Sequence, residues 1–371
     1  MNEPFVIGIS GSIGSGKSLI RHLLAMRGIM PLDADELTHF LLAKGKAGCR
    51  QVAHDFGETY LDGLGDVDRA RLGMDVFRDP RSLQKLEAIL HPLVSQAVRA
   101  ILQHTSAPFA ALEAIKLYSS DLLQMVDSRW FVTVTPAVQR ERLKKTRAMD
   151  EGAINERLHQ QQFPREMSVD HYIENSSRLS DVEKQIEWIW EDMSREIDGF
   201  DRRENDLLRK RSIPILSMQE VEAVEPETRE TLTKMLPAAS MMEADTFLQR
   251  VVLSDTFLSP SGDPGSYLVW RFDHFNTLVQ VLQTDNANEN MLQGLEKLEE
   301  QSGMWGGNCV LVELDERSLP LRQELLSMGY QPFTQEDFVK NPFLSFSLRN
   351  KGKIGDHLIK TLAAGVWRLI P

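Results

Sequence analysis

The sequence predicts an α/β fold in which a larger unit with a parallel sheet precedes a second, smaller α/β unit. Three observations carry this. Phe5 to Ser10 (FVIGIS) is a short apolar run that breaks into glycine-rich sequence, the pattern of a strand buried on both faces. SLIRHLLAMRG follows with apolar residues at helical spacing and Gly28 placed to end the helix, and IMPLDAD returns to strand character and stops at acids. After residue 245 strand and helix patterns alternate again.

Each element follows in order. Glu36 to Gln103 reads mainly helical, apart from the turn-rich FGETYLDGLGDVDR. FAALEA (109–114) and WFVTVT (130–135) supply further buried strands, and the charged stretch PAVQRERLKKTRAMDEGAINERLHQQQ between them and HYIEN (171–175) is helical. The amphipathic DVEKQIEWIWEDMSREI closes a first unit over residues 1–200. Residues 201–245 read as a linker with helical pieces, and 246–371 as the second unit. There SYLVWRFD and NCVLVELDE are strands, ENMLQGLEKLEEQSG and SLPLRQELLSMGYQPF are helices, and FLSFSLRN is expected as a final strand.

Composition bounds the function. The 371 residues, 42% of them hydrophobic, suit a folded protein of two domains. A formal charge of −12 argues against a nucleic-acid partner, which favours a basic face. Cys49 and Cys309 are too few for a disulfide scaffold, and no C-x-x-C or Cys/His cluster points to structural zinc. The apolar run at the N-terminus is too short for a signal peptide and no window spans a membrane, so a cytoplasmic location is the expectation.

Gly11-Ser12-Ile13-Gly14-Ser15-Gly16-Lys17-Ser18 fits G-x-x-x-x-G-K-[ST], between a strand and an amphipathic helix. Glycines let the backbone N–H groups point inward at a phosphate, and the helix that follows presents its positive end to the same anion. Lys17 can reach the β- and γ-phosphates of ATP, and the Ser18 hydroxyl can ligate Mg2+. The fold expected around this loop is a parallel sheet of the P-loop NTPase type.

Phosphoryl transfer to a hydroxyl needs positioning, charge neutralisation and a proton acceptor. Asp33, ending the second strand, suits that last role. Asp35 shares its face and can hold substrate if the chain stays extended; if a helix starts at Asp33, Asp35 turns away and D-A-D-E is a helix cap. Glu113 ends its strand either as an acid that helps hold the metal or as an ordinary strand-end carboxylate. Lys116 either meets an anionic substrate or is a surface lysine. Arg140, Arg142, Lys144, Lys145 and Arg147 make a basic lid over the phosphates or a solvated helix face.

With these residues in place, the first 200 residues resemble the dephospho-coenzyme A kinase family. ISGSIGSGKSL with PLDADELTHFLL is similar to its opening, HDFGETYLDGLGDVDRARLGMDVF to its substrate-side helices, and LEAILHPLV carries His91-Pro92. Gln139, Arg142, Arg157, Gln161, Asp170 and Asn175 fall at family-like spacings. The resemblance implies ATP and Mg2+, and transfer of the γ-phosphate to the ribose 3′-hydroxyl of dephospho-coenzyme A. It implies a helical substrate region and a lid beside the sheet. It implies Asp33 as base with Lys17, ATP on residues 11–18 with Leu19, Arg142 and Arg147, substrate on Asp33, Asp35 and His91, and metal on Ser18 and Glu113, while the substrate candidate Lys116 departs from the family's pattern. Ser119 stands where the family usually has an acid, and Thr146 near an expected lid arginine. Another small-molecule P-loop kinase, or a weakly active nucleotide- or coenzyme A-binding regulator, are the alternative readings.

VLVELDERSLPLRQELLSMGYQPF resembles the later half of an acetyltransferase of the GNAT superfamily. A working enzyme of that type needs a glycine-rich turn after its central strand, and TDNANENML has none, so a non-catalytic module is expected. Binding of coenzyme A or an acyl-coenzyme A there would connect the two units. Met304, Trp305 and Val366-Trp367 are either core or a ligand or partner surface.

Overall fold

The computed structural model describes residues 3–76, 78–147, 149–161, 163, 166–236, 246–261, 265–282, 288–314, 318–341, 344, 357–362, 365 and 370–371. Its first sheet contains strands β1 (Phe5–Gly11), β2 (Met30–Asp33), β3 (Phe109–Glu113), β4 (Ser128–Thr133) and β5 (His171–Glu174) in the spatial order β2-β3-β1-β4-β5, every pairing parallel. All seven residues of β1 are buried, as a central strand covered on both faces must be. Helix α1 (Lys17–Met26) leaves the phosphate loop, α2 (Ala34–Leu41) follows β2, and α3 (Ala47–Phe56), α4 (Arg69–Val76) and α5 (Pro80–His104) form the helical region before β3. Helix α5 starts cleanly because Asp79 caps it through the N–H groups of Arg81 and Ser82, and Pro80 needs no hydrogen bond in its first turn.

Helices α6 (Pro136–Arg147) and α7 (Glu151–Gln160) project from β4, and α8 (Leu179–Glu196) follows β5. The expected linker is helical through α9 (Phe200–Lys210), α10 (Met218–Glu222) and α11 (Pro226–Met235). Phe200, Leu207, Ile215, Val221 and Leu232 from this stretch are buried in the main core. The backbone N–H of Leu216 bonds the carbonyl of Leu258 at 2.9 Å, which fastens the stretch to the second sheet.

After α12 (Phe247–Leu253) come β6 (Phe257–Pro260), β7 (Tyr267–Asp273), β8 (Asn276–Leu282), α13 (Asn288–Met304), β9 (Cys309–Glu313), α14 (Arg322–Ser327), β10 (Gln331–Pro332), α15 (Gln335–Lys340) and β11 (His357–Thr361). The sheet order is β10-β11-β9-β8-β7-β6, with β8 and β9 parallel and the other neighbours antiparallel. The β7–β8 connection places His274 and Phe275 at φ 49° and 58°, the left-handed pair that a two-residue hairpin turn requires. The strand expected at FLSFSLRN lies outside the described residues apart from Leu344, and Val366-Trp367 also lie outside them.

The units share a contiguous apolar core that runs from Ile7, Ile9 and Phe109 to Trp270 and Trp305. Trp305 is fully buried, and its indole N–H donates to the carbonyl of Gly28 at 3.1 Å, just past the end of α1. Met304 is also buried, and its carbonyl accepts from the Thr105 hydroxyl at 2.8 Å. Both residues are therefore core, not an exposed ligand surface. His22 stacks on Phe257 with ring centroids 4.6 Å apart. Cys49 and Cys309 are buried free thiols, and burial raises the pKa of each.

Candidate active site

The phosphate loop sits between the end of β1 and the start of α1, where Gly11, Gly14 and Gly16 adopt φ of 151°, 76° and 90°. Glycine is required at the first and last of these. A Cβ on Gly11 would stand 2.4 Å from the carbonyl of Val132, and one on Gly16 would stand 2.1 Å from Nδ2 of Asn175. The Lys17 ammonium is buried and donates to the carbonyls of Gly11 at 3.0 Å and Ser12 at 3.1 Å, so it curls over the loop it belongs to.

Three amides from distant segments hold this loop. Gln139 donates to the Ser12 hydroxyl at 2.8 Å and the Ile13 carbonyl at 2.6 Å. Gln161 accepts from the Ile13 N–H at 2.7 Å, and Asn175 donates to the Ser15 carbonyl at 2.8 Å. Ile13 packs with Leu143 of α6 and Ile154 of α7, so apolar contact joins the amides in tying the loop to these two helices. Sequence spacing singled out these amides without saying what they bond. Asp170 acts away from the loop, where it accepts from both Nε and Nη2 of Arg129 and secures the start of β5.

The basic residues of α6 divide. Arg140 bonds Glu151 and Asn155, Lys144 pairs with Glu151, and Lys145 pairs with Glu141. Arg142 instead lies half-buried beside Gly16, where a Cβ on that glycine would be 3.6 Å from its Nη1. Burial lowers the Arg142 pKa, and Glu174 and Glu141 oppose this. The side chains of Thr146 and Arg147 lie outside the described residues.

Glu113 pairs in register with Ile9 of β1 and Asp33 of β2, which aligns two carboxylates at the carboxyl edge of the sheet. Its side chain accepts from the Ser18 hydroxyl at 3.0 Å and from Arg21 Nε at 3.0 Å. Burial raises the Glu113 pKa, Arg21 opposes this and Asp33 adds to it. A hydroxyl and a buried carboxylate side by side form a hard-oxygen donor set that fits a divalent cation. Asp33 lies 3.6 Å from Arg21 Nη2.

The helix does start after Asp33. Its carboxylate caps α2 by accepting from the N–H groups of Asp35 and Glu36 at 2.8 and 3.2 Å. Asp33 consequently faces Arg21, and Asp35 lines a neighbouring cavity of about 1060 Å³. His91 and Lys116 line the same cavity, together with Ile13, Arg157 and Gln161. Burial lowers the His91 pKa, Glu87 opposes that and Lys116 reinforces it. Lys116 pairs with Glu87 at the rim.

The site residue missed from sequence is Arg21. It lies four residues after Lys17 and three after Ser18, so one helical turn puts it directly beneath the loop. That spacing was the available signal, but the carboxylates it meets come from β2, β3 and the second unit.

The sequence profile of the dephospho-CoA kinase family matches residues 5–181. The dephospho-CoA kinase of Bacillus licheniformis is 33% identical over 188 residues, covering 49% of this chain and 92% of that protein. The chain belongs to the dephospho-CoA kinase family. The family's enzyme from Streptomyces avermitilis is 31% identical over 190 residues, covering 50% of this chain and 93% of that protein. A crystal structure from Thermus thermophilus aligns with a TM-score of 0.45 and 27% identity over 52% of this chain and 99% of its own. The family match ends before the second unit begins. Among the described residues, no helix is long and apolar enough to cross a membrane.

Proposed function

We propose that the chain transfers the γ-phosphate of ATP to the ribose 3′-hydroxyl of dephospho-coenzyme A, the last step in making coenzyme A. The observation that carries this reading is the junction of a glycine-built phosphate loop with Asp33 and a large cavity, within a member of this kinase family. Lys17 and the loop N–H groups bind the phosphates of ATP on Gly11–Ser18, with half-buried Leu19 following in the first turn of α1 and Arg142 closing from α6. Asp33 accepts the proton of the acceptor hydroxyl.

Ser18 and Glu113 are the residues that would hold Mg2+, and the ion when bound would neutralise charge on the β- and γ-phosphates. Asp35, His91 and Lys116 orient dephospho-coenzyme A in the cavity, where Lys116 can exchange its rim partner Glu87 for a substrate phosphate. Ile13 packed under the lid excludes water from the transfer.

The test supplies the purified chain with Mg-ATP and either dephospho-coenzyme A or a panel of nucleosides and sugars. ADP release that depends on dephospho-coenzyme A supports the reading. Release with a nucleoside or sugar instead assigns another small-molecule kinase, and no acceptor-dependent release sinks the kinase reading in favour of a binding protein.

For the second unit the reading is an acetyltransferase-like fold without catalysis. Support comes from the succession β8, α13, β9, α14 and from the absence of glycine in the sequence TDNAN that joins β8 to α13. Of that stretch, residues 284–287 lie outside the described residues. Titration of the full chain with acetyl-coenzyme A in the presence of saturating ATP tests a coenzyme A-binding role for this unit. A second binding event beyond the kinase site supports the role, and a single event removes it.

A further inference from the structure

We infer that Asp255, from the second unit, is a positioning residue of the phosphoryl-transfer site: it fixes Arg21 so that this guanidinium serves Glu113 and Asp33 together. The inference rests on reading that site as a kinase centre, and it makes the second unit part of the centre.

The contacts run in one chain. Asp255 follows α12 and takes a left-handed φ of 54°, two residues before β6 begins. Its Oδ1 lies 2.7 Å from Nδ1 of His22, and its Oδ2 lies 3.8 Å from Nη2 of Arg21. His22 is in turn fixed by its stack on Phe257, the first residue of β6. From Asp255 the guanidinium of Arg21 continues to Glu113 at 3.0 Å and Asp33 at 3.6 Å. Glu113 then holds the Ser18 hydroxyl. Asp255 therefore reaches the loop's Ser18 in three contacts, each between side chains.

Charge explains why the link matters. The Arg21 side chain is 8% exposed. Burial pulls its pKa down, but Asp255, Glu113, Asp33 and Glu36 outweigh that and hold it well above the ordinary value. The Asp255 side chain is 47% exposed; its partial burial pushes the carboxyl up, yet the adjacent His22 ring and the Arg21 charge bring it to about 2, so it is ionised at neutral pH. A guanidinium shared by three carboxylates cannot collapse onto any one of them. Without Asp255 it is free to move onto Asp33, which masks the proton acceptor, and away from Glu113, which releases Ser18.

A second element of the second unit faces the same cluster. Asp273 and His274, at the β7–β8 turn, offer polar atoms within 4.8 Å of one another and of Glu36 on α2. Asp255 is therefore not an incidental surface contact but one end of an interface built around the carboxyl edge of the first sheet.

The experiment compares the full-length chain with Asp255→Asn, Asp255→Ser, Asp255→Glu and Thr105→Val. The last removes a different buried bond between the units, to the Met304 carbonyl, and leaves the Arg21 network alone. Both neutral variants are expected to lower kcat by about tenfold to a hundredfold, since a misplacement of about 1 Å costs about that much, with the ATP KM changed less than about threefold. Asp255→Glu restores most of the loss, and Thr105→Val lowers the melting temperature without lowering kcat.

Nitrogen-15 arginine NMR supplies a readout that needs no turnover. The Arg21 Nε–H signal, assigned by its loss in Arg21→Lys, is expected to move in Asp255→Asn or Asp255→Ser and to stay in place in Thr105→Val. Wild-type kcat in the neutral variants, an equal loss in Thr105→Val, or an unmoved Arg21 signal overturns the inference. If the wild-type chain shows no dephospho-coenzyme A-dependent ADP release, the functional reading fails and the Arg21 signal alone decides the positioning claim.

Discussion

The two sheets treat their polar groups in opposite ways. In the first, parallel strands end side by side and leave Gly11, Asp33 and Glu113 at one edge, facing the N-terminus of α1. In the second, polar side chains are turned inward and bond one another. Asn341 donates to Asn276 at 2.9 Å, the Thr277 hydroxyl donates to Ser302 at 2.7 Å, and the Trp270 indole donates to Ser259 at 3.0 Å. Parallel strands must all leave the sheet on the same side, so loops and helix starts gather there and make a site. Mostly antiparallel strands alternate direction and concentrate nothing at one end. The second sheet instead supplies packing, and Asp255, in the turn before its edge strand β6, reaches across to the first.

Several substitutions break or sharpen this contrast. The largest effect is expected at the parallel edge: Asp33→Asn should reduce kcat by about a thousandfold, within the range for a lost proton acceptor, while calorimetry still detects ATP binding. Asn caps a helix as well as Asp, so α2 is retained and the loss is chemical. Unchanged turnover would remove Asp33 as base.

Next comes the loop. Asn175→Ala leaves the buried Ser15 carbonyl without this donor, which costs about 1–3 kcal/mol, so the ATP KM should rise by about tenfold. An unaltered KM would mean that the loop holds its shape without the amides around it. Lys116→Ala is expected to raise the KM for dephospho-coenzyme A about threefold and leave that for ATP alone, because Lys116 is exposed at the cavity rim. A change in the ATP parameter instead would place Lys116 on the wrong substrate.

The smallest effect tests the seam between the sheets. Burial, with Asp33 adding to it, pushes the Glu36 carboxyl up from 4.5 to about 8. The folded protein thus keeps a proton that the unfolded chain has lost, and this group's contribution to stability falls as pH rises from about 4.5 to 8. Glu36→Gln removes that fall. Thermal melts at pH 6 and pH 9 should show the variant gaining on wild type at the higher pH, and parallel curves would refute it.

Much of the first unit was legible because its signals are local. The run FVIGIS, the glycine spacing and the Gly-Lys-Ser ending all act within a few residues of one another, so strand, loop and helix follow from short-range sterics. In sequence, Asp33 could lie in a strand extended through Asp35 or cap a helix that starts there, since D-A-D-E satisfies both. The structure resolves it as a cap whose carboxylate also faces Arg21. The stretch 201–236 looked like a linker because its apolar residues are sparse, yet Leu207, Val221 and Leu232 each find a buried place, as does Phe200 just before it.

The amino-acid sequence by itself determined the phosphate loop, the alternation of strand and helix, and the family to which residues 5–181 belong. The tertiary structure decided which side chains meet. Glu113 reaches Ser18, three amides grip the loop, and Arg21 gathers acids from positions 33, 113 and 255. The physical reason is range. Backbone preference and hydrophobic period are properties of neighbours along the chain, whereas the position of a buried charge depends on every carboxylate that folding brings within a few ångströms of it.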